Sequence, residues 1–485
     1  MVEFAYRPYL ENKRAFFTNL PRDLPAAKEM AAAASYDFLA THRLLLEQEW
    51  SNLLESLKKN SKNRQTYWLY CYYCCAMLES YYQAYGKQAE VKKYQALCAQ
   101  IQYLSGENSL PHVVEEEFFK EFKKKIGSDL SELISTPLHI SKIRDWVAFS
   151  NITRLQITFS RITVAQTINF ARSMEWFDKW DAFFGGHTDV DGMLSRLNKA
   201  NPVFNVLSVG LFVARFVINA AMMCKHVFIP AEAEKRGLLA RFQDELKKRH
   251  AVFLNDSVWA MVNLTSNFAG YFNISAPVAN WLTAGFLFFD VALLAYRRHL
   301  AEQDYLTKKE QYRLEIEENS DDEAYCIMVK EQAAQLEISW QAQQASFNFN
   351  IVAAILLMSG FSASLLLAIP AATPVCFLVC TLAISMYLSA DLYGSYQEKV
   401  LKAQQVDLTA AQKNKMEAEV AEARDEFLWS MVKNTAMPLF IMSLLAISWQ
   451  VALIFTAVYI AYECSKGYLN LIKTGEAESQ PVLSL

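Results

Sequence analysis

The sequence predicts an all-α protein: an N-terminal helical domain followed by helical membrane hairpins joined by charged amphipathic helices. Three observations carry this. From Ile338 to Ala390, 53 residues (338 to 390) pass without an Asp, Glu, Lys, Arg or His. A hydrocarbon core of ~30 Å takes ~20 apolar residues of helix, so this run has room for two spans. The chain has 14 Gly and 12 Pro among 485 residues, too few for a turn-rich β protein. Outside the uncharged runs, apolar residues recur at three-to-four spacing, the period of a helix that buries one face.

Bulk composition narrows the function classes. Hydrophobic residues make up 53% of the chain, against ~45–50% in soluble domains. Mean hydropathy is +0.06, the value of a chain part membrane and part water-facing. The net charge of −4 offers no basic surface for nucleic acid. Nine cysteines are scattered, and Cys224, Cys376 and Cys380 lie in or beside apolar spans. That pattern fits reduced thiols, not a secreted disulfide framework. The opening MVEFAYRPYLENKRAFF has no uninterrupted apolar core, so no cleavable signal peptide is expected.

Residues 1–25, with Pro8, Pro21 and Pro25, are expected to be irregular. A helix follows over 26–59, where Leu39, Leu46, Trp50, Leu53 and Leu57 share a face. A polar connector at 58–65 leads to a tyrosine-dense helix over 65–104. Its tyrosines suit either a contact surface or a bundle core with hydroxyls at the edge. A loop at 106–112, helix over 113–126 and a long helix over 141–184 come next. Arg154, Arg161 and Arg172 interrupt any span in that last helix. Residues 1–200 read as a water-facing domain, with 185–202 as a linker.

The membrane domain covers 201–472, with apolar segments at 203–224, 258–274, 276–296, 350–369, 374–393 and 437–462. Pro370 and Pro374 mark the turn between the fourth and fifth segments. The uncharged run 434–462 has 29 residues (434 to 462), ~43 Å of helix, and forms either one tilted helix or a re-entrant pair. Charged helices over 225–256, 300–337 and 395–433 connect the segments. Lys and Arg mark the cytoplasmic side, so the connections are expected there and the turns on the far side or within the bilayer. Residues 473–485 form a polar, disordered tail.

Two charges fall inside apolar segments: Arg215 in the first and Asp290 in the third. Charges in spans face the bundle and find partners, so these two are expected to pair. The competing reading has both snorkel to the interface. The acidic cluster Glu315, Glu317, Glu318, Asp321, Asp322 and Glu323 reads as a solvated face, with a cation site as its alternative.

No phosphate-binding, dinucleotide, zinc-protease or serine-hydrolase motif occurs. Cys71, Cys74, Cys75 and Cys98 lack the second ligand pair of a zinc site and read as buried thiols. His187-T-Asp189-V-Asp191-Gly192 resembles a calcium loop faintly, but His187 and Asn198 would hold its first and twelfth positions, where carboxylates belong. No catalytic, cofactor-binding or metal residue is assigned, and no cofactor. The expected partners are the lipid bilayer and a protein bound through the N-terminal domain, without nucleic acid.

The whole-chain style and the tail, with Glu476, Glu478 and Leu483, resemble the multipass, coiled-coil-containing membrane effectors that intracellular bacteria such as Legionella and Coxiella deliver by type IV secretion. The resemblance implies insertion in a host organelle membrane and no particular activity. The expected function is non-enzymatic: membrane association, membrane shaping or partner recruitment. The alternatives are a channel or transporter using Arg215 and Asp290, and a pore-former with sheathed hairpins.

Overall fold

A computed structural model describes residues 2–59, 65–84, 88–104, 140–199, 201–229, 237–321, 323–367, 369–404, 410–459 and 461–462. Among these residues the secondary structure is helical, with no strand. The helices are α1 (Val2–Thr18), α2 (Leu24–Ala32), α3 (Tyr36–Lys59), α4 (Gln65–Ala84), α5 (Gln88–Leu104), α6 (Ile140–Ser173), α7 (Trp176–Phe184) and α8 (Val190–Asn198). There follow α9 (Asn201–Phe228), α10 (Leu238–Asn267), α11 (Ala276–Glu318), α12 (Glu323–Leu366), α13 (Ala372–Ala403), α14 (Ala410–Ile447) and α15 (Trp449–Tyr459). The segment 113–126 and the tail lie outside the described residues.

The chain forms two compact units that do not follow chain order. The first holds 1–131, 221–248 and 299–341; the second holds 132–220, 249–298 and 342–485. Residue 200 is therefore not a boundary between units.

The first unit is built around α4. Every residue from Tyr67 to Glu79 is buried, because this helix is apolar or aromatic on all sides and sits centrally. Helices α2, α3 and α5 pack against it. Phe16 of α1 brings its ring 4.7 Å from Tyr73 and 5.1 Å from Tyr70. Tyr82 and Tyr94 stack at 5.4 Å, and Tyr305 and Trp340 at 5.0 Å. The tyrosines thus form a core, with hydroxyls reaching polar neighbours such as Asn12, 3.2 Å from Tyr73. The expectation of an irregular N-terminus is corrected. Helix α1 runs through Pro8, because burial of Tyr9 and Phe16 outweighs one lost helical hydrogen bond. Pro25 sits in the first turn of α2, where its missing N–H costs nothing, and Asp23 caps the Ala26 N–H at 2.9 Å.

In the second unit, α6 packs against α13 and α14, which also pack on each other. Gln156 meets Ser385, and Thr163 meets Thr381, so α6 and α13 are antiparallel. Gln156 also meets Asn434, while Val164 and Ile168 share a core with Met442 and Ala446, so α14 runs parallel to α6. Helix α12 lies antiparallel to α13, close enough that a Cβ on Gly360 would sit 2.8 Å from the Cys376 carbonyl oxygen. Helix α11 runs parallel to α13: Leu287 packs with Cys380, and Asp290 lies in electrostatic reach of Tyr387.

These directions bring the corners to one end of the unit. They are the α10–α11 corner around Asn273, the α12–α13 corner at Pro370, the α14–α15 corner at Ser448, and the end of α6. Asn273 adopts a left-handed conformation (φ 54°) that Asn tolerates. Pro370 lies between helices as expected. Pro374 lies inside the first turn of α13, which starts at Ala372. Run 434–462 resolves as a fold-back: α14 ends at Ile447, α15 starts at Trp449, and Phe440 and Phe455 approach to 5.0 Å.

Two further expectations are corrected. The helix over 141–184 breaks after Ser173, where Glu175 takes a left-handed conformation (φ 56°). The linker over 185–202 contains α8, started by Asp189, whose carboxylate accepts the Gly192 N–H at 2.8 Å.

Candidate functional site

Among the described residues, five helices are long and apolar enough to cross a membrane, by length and composition. They present apolar side chains outward, such as Val375, Leu378 and Leu382 on α13. The chemistry lies in the polar groups held between helices.

Arg215 and Asp290 do not meet. Arg215 donates from Nε to Asp256 Oδ1 at 2.7 Å, with Nη2 on the same oxygen. Asp256 is fully buried, and Arg215 is 18% exposed along its side chain. The Arg215 guanidinium also lies 5.6 Å from the Phe212 ring centroid. Asn219, one turn on, accepts from Arg249 Nη1 at 3.3 Å and donates to the Arg215 carbonyl. Asp290 instead accepts the indole N–H of Trp259 at 2.6 Å. The correction has a simple physical basis. Helix α10 is the neighbour of both α9 and α11, so it supplies each buried charge with its own partner.

Helix α6 buries polar residues on two sides: Asn151, Arg154 and Arg161 on one, Gln156, Ser160 and Thr163 on the other. Gln156 donates to Ser385 Oγ at 2.9 Å and to the Asn434 carbonyl at 2.5 Å. Thr163 and Thr381 hydroxyls lie 3.1 Å apart, and those of Ser389 and Ser430 likewise 3.1 Å. Arg161 reaches the carbonyl of Leu197 at the end of α8. This is a hydrogen-bonded seam, the usual glue between apolar helices.

The first unit holds a second cluster. Lys13 Nζ sits 2.7 Å from Glu49 and 2.5 Å from Glu315. Lys308 lies 4.0 Å from the other Glu49 oxygen and donates to the Leu45 carbonyl at 3.3 Å. All four side chains are at most 2% exposed. Tyr312 donates to Glu49 at 3.3 Å, and Tyr325 to Glu315. The ammonium groups also lie over rings: Lys13 over Tyr70 and Tyr325, Lys308 over Tyr9 and Tyr312. Burial works against both cations. For Lys13 the carboxylates of Glu315 and Glu49 outweigh it and hold the ammonium well above the usual lysine range. For Lys308 burial wins and lowers the pKa to about 8. Burial pushes the Glu49 carboxyl upward, but Lys13 and Lys308 prevail and hold it below its usual range. Glu315, expected on a solvated acidic face, is thus buried and paired.

The other sequence candidates divide plainly. Cys71, Cys74, Cys75 and Cys98 are buried thiols outside any disulfide, and burial raises the Cys74 pKa. Asp189 caps α8 and faces Arg196, and Asp191, in the first turn of α8, faces Arg172. Among the described residues no group of three His, Cys, Asp or Glu gathers as a metal site. Glu476, Glu478 and Leu483 lie outside the described residues. Sequence reading missed Asp256, Trp259, Lys13, Glu49 and Lys308. A signal for three of them existed: Lys13 follows Tyr9 by four, Glu49 follows Leu46 by three, and Lys308 follows Tyr305 by three, so each sits on an apolar helical face.

The chain matches no protein-family model, no curated protein and no solved structure.

Proposed function

We propose that this protein is a non-enzymatic membrane protein that shapes the bilayer by wedging helical hairpins into it. The observation that supports this most is the α14–α15 fold-back. From Asn434 to Ile447, α14 offers 14 uncharged residues (434 to 447), and α15 has 11 (449 to 459). The α15 arm reaches about 17 Å at 1.5 Å per residue, short of the ~30 Å hydrocarbon core, so the fold-back stops short of a second crossing although α14 is long and apolar enough for a first. Such a pair enters the bilayer and turns back. Three hairpins turning at one end would place extra volume at one depth and expand one leaflet. Placement in a host organelle membrane belongs to the same proposal through the tail resemblance alone.

The test is reconstitution into dye-loaded phosphatidylcholine liposomes, with shape and leakage followed together. The expected result is tubulated or fragmented vesicles that keep their dye. Dye or ion release from vesicles of unchanged shape would overturn the shaping reading and favour a channel.

A further inference from the structure

Helix α7 carries an exposed aromatic face. Trp176 is 52% exposed, Trp180 60%, Phe183 81% and Phe184 61%. Trp180 and Phe183 both pack edgewise or tilted on Phe184, with centroids 4.4 and 4.8 Å away, so the rings form one patch. Its position is set from both sides. Asp181 accepts the Thr188 N–H and hydroxyl, each at 2.7 Å, which ties α7 to the loop that follows it. Beside the patch opens a cavity of about 460 Å³, lined by Trp176, Phe177, Trp180, Met193, Arg196 and Ile447, among others. Ile447 is the last residue of α14, and its carbonyl accepts from Arg196 at 3.2 Å. The patch is therefore continuous with the corner of a membrane hairpin.

Depth follows from the helix directions. From the common level of Gln156, Ser385 and Asn434, α6 runs 17 residues to Ser173, α13 runs 13 back to Ala372, and α14 runs 13 to Ile447. These lengths are about 25, 20 and 20 Å. The three ends thus lie at nearly one level, where uncharged spans give way to polar chain. Tryptophan and its amphipathic relatives concentrate at that level of a bilayer. Arginine at the cavity rim suits the lipid phosphate.

We infer that α7 is an interfacial anchor whose Trp176, Trp180, Phe183 and Phe184 enter the phospholipid headgroup layer on the side where the hairpins turn. The inference rests on the membrane reading above and extends it to a segment outside the apolar runs. It makes α6–α8 part of the bilayer contact and not a water-facing domain with a linker.

The test places the photo-crosslinking residue p-benzoyl-phenylalanine at one position at a time in the full chain, reconstituted in phosphatidylcholine vesicles. Position 183 tests the anchor, Leu382 on the outer face of α13 reports the membrane reading, and exposed Glu310 is the water control. Irradiation should give lipid adducts, seen by mass, at 183 and 382 and none at 310. Adducts at 382 without 183 overturn the anchor alone. Loss at both overturns the anchor together with the membrane reading. Adducts at 183 without 382 keep the anchor and overturn the spanning of α13.

Discussion

Lys13 and Lys308 stand on either side of Glu49, and burial leaves the two ammonium groups with opposite fates. Lys13 touches two carboxylates at 2.7 and 2.5 Å, whereas Lys308 reaches only one, at 4.0 Å. The first is held charged, and the second is pushed toward neutrality. A buried charge is tolerated in proportion to the opposite charge it meets, and this pair shows the rule within one core.

Lys13→Met should therefore be much the worse of two matched substitutions. It leaves two buried carboxylates facing one distant cation, a loss of ~3–5 kcal/mol for a broken buried pair. Lys308→Met removes the weakly compensated cation and replaces it with apolar volume, so its cost should be small. Denaturant unfolding of each full-length variant, followed by the near-UV signal of the tyrosine core, would decide. Equal losses would show that Lys308 is as firmly paired as Lys13.

The same asymmetry gives a pH dependence. Lys308 has a folded pKa of about 8 against an ordinary 10.5. Between those values the unfolded chain holds a proton that the folded chain has released, so stability rises with pH there. Lys13 has the opposite sign: its raised pKa contributes stability below 10.5 that is lost as pH rises through the folded value. Glu49, with its lowered pKa, contributes above 4.5 and loses that contribution as pH falls through the folded value. The difference in stability between wild type and Lys308→Met should shift in favour of wild type from pH 8 to 10.5. A difference flat across that window would refute the assignment.

Arg215 and Asp256 form a pair buried between α9 and α10. Arg215→Ala or Asp256→Ala should lower the folded yield, with ~3–5 kcal/mol at stake for a fully buried partner left alone. The swap Arg215→Asp with Asp256→Arg should recover part of it. Asp290→Ala should instead cost about 1.5–3 kcal/mol, the range for a hydrogen bond to a charged group, because it frees only the Trp259 indole. Yield of folded protein after detergent extraction measures all four. A swap that rescues Arg215 with Asp290, but not with Asp256, would reverse the pairing.

Topology can be read by thiol labelling in a background without the native cysteines. Ala372→Cys, at the α12–α13 corner, should resist a membrane-impermeant reagent added from the side of the charged connections. Gln404→Cys, at the exposed end of α13, should react quickly. Equal labelling would contradict hairpins that all turn at one end.

What the sequence determined by itself is the part governed by local period and by the absence of charge. Few glycines and prolines, helical spacing and long uncharged runs specify an all-α chain with membrane-length helices, and Pro370 marks a corner because proline interrupts a helix wherever its neighbours lie. Glu49 and Lys308 were half legible, since each occupies an apolar face. Tertiary structure decided the rest. Arg215 chose Asp256 over Asp290 because α10 is its neighbour, and neighbours are not written in spacing. Run 434–462 folded back at Ser448, where Phe440 and Phe455 gain a contact no local preference encodes. Arginines 154 and 161, which read as marks of a water-facing helix, are buried: Arg154 meets Asn151 on its own helix, and Arg161 meets Leu197 and Asn198 at the end of α8. Charge in a sequence reports what must be satisfied; only packing reports by whom.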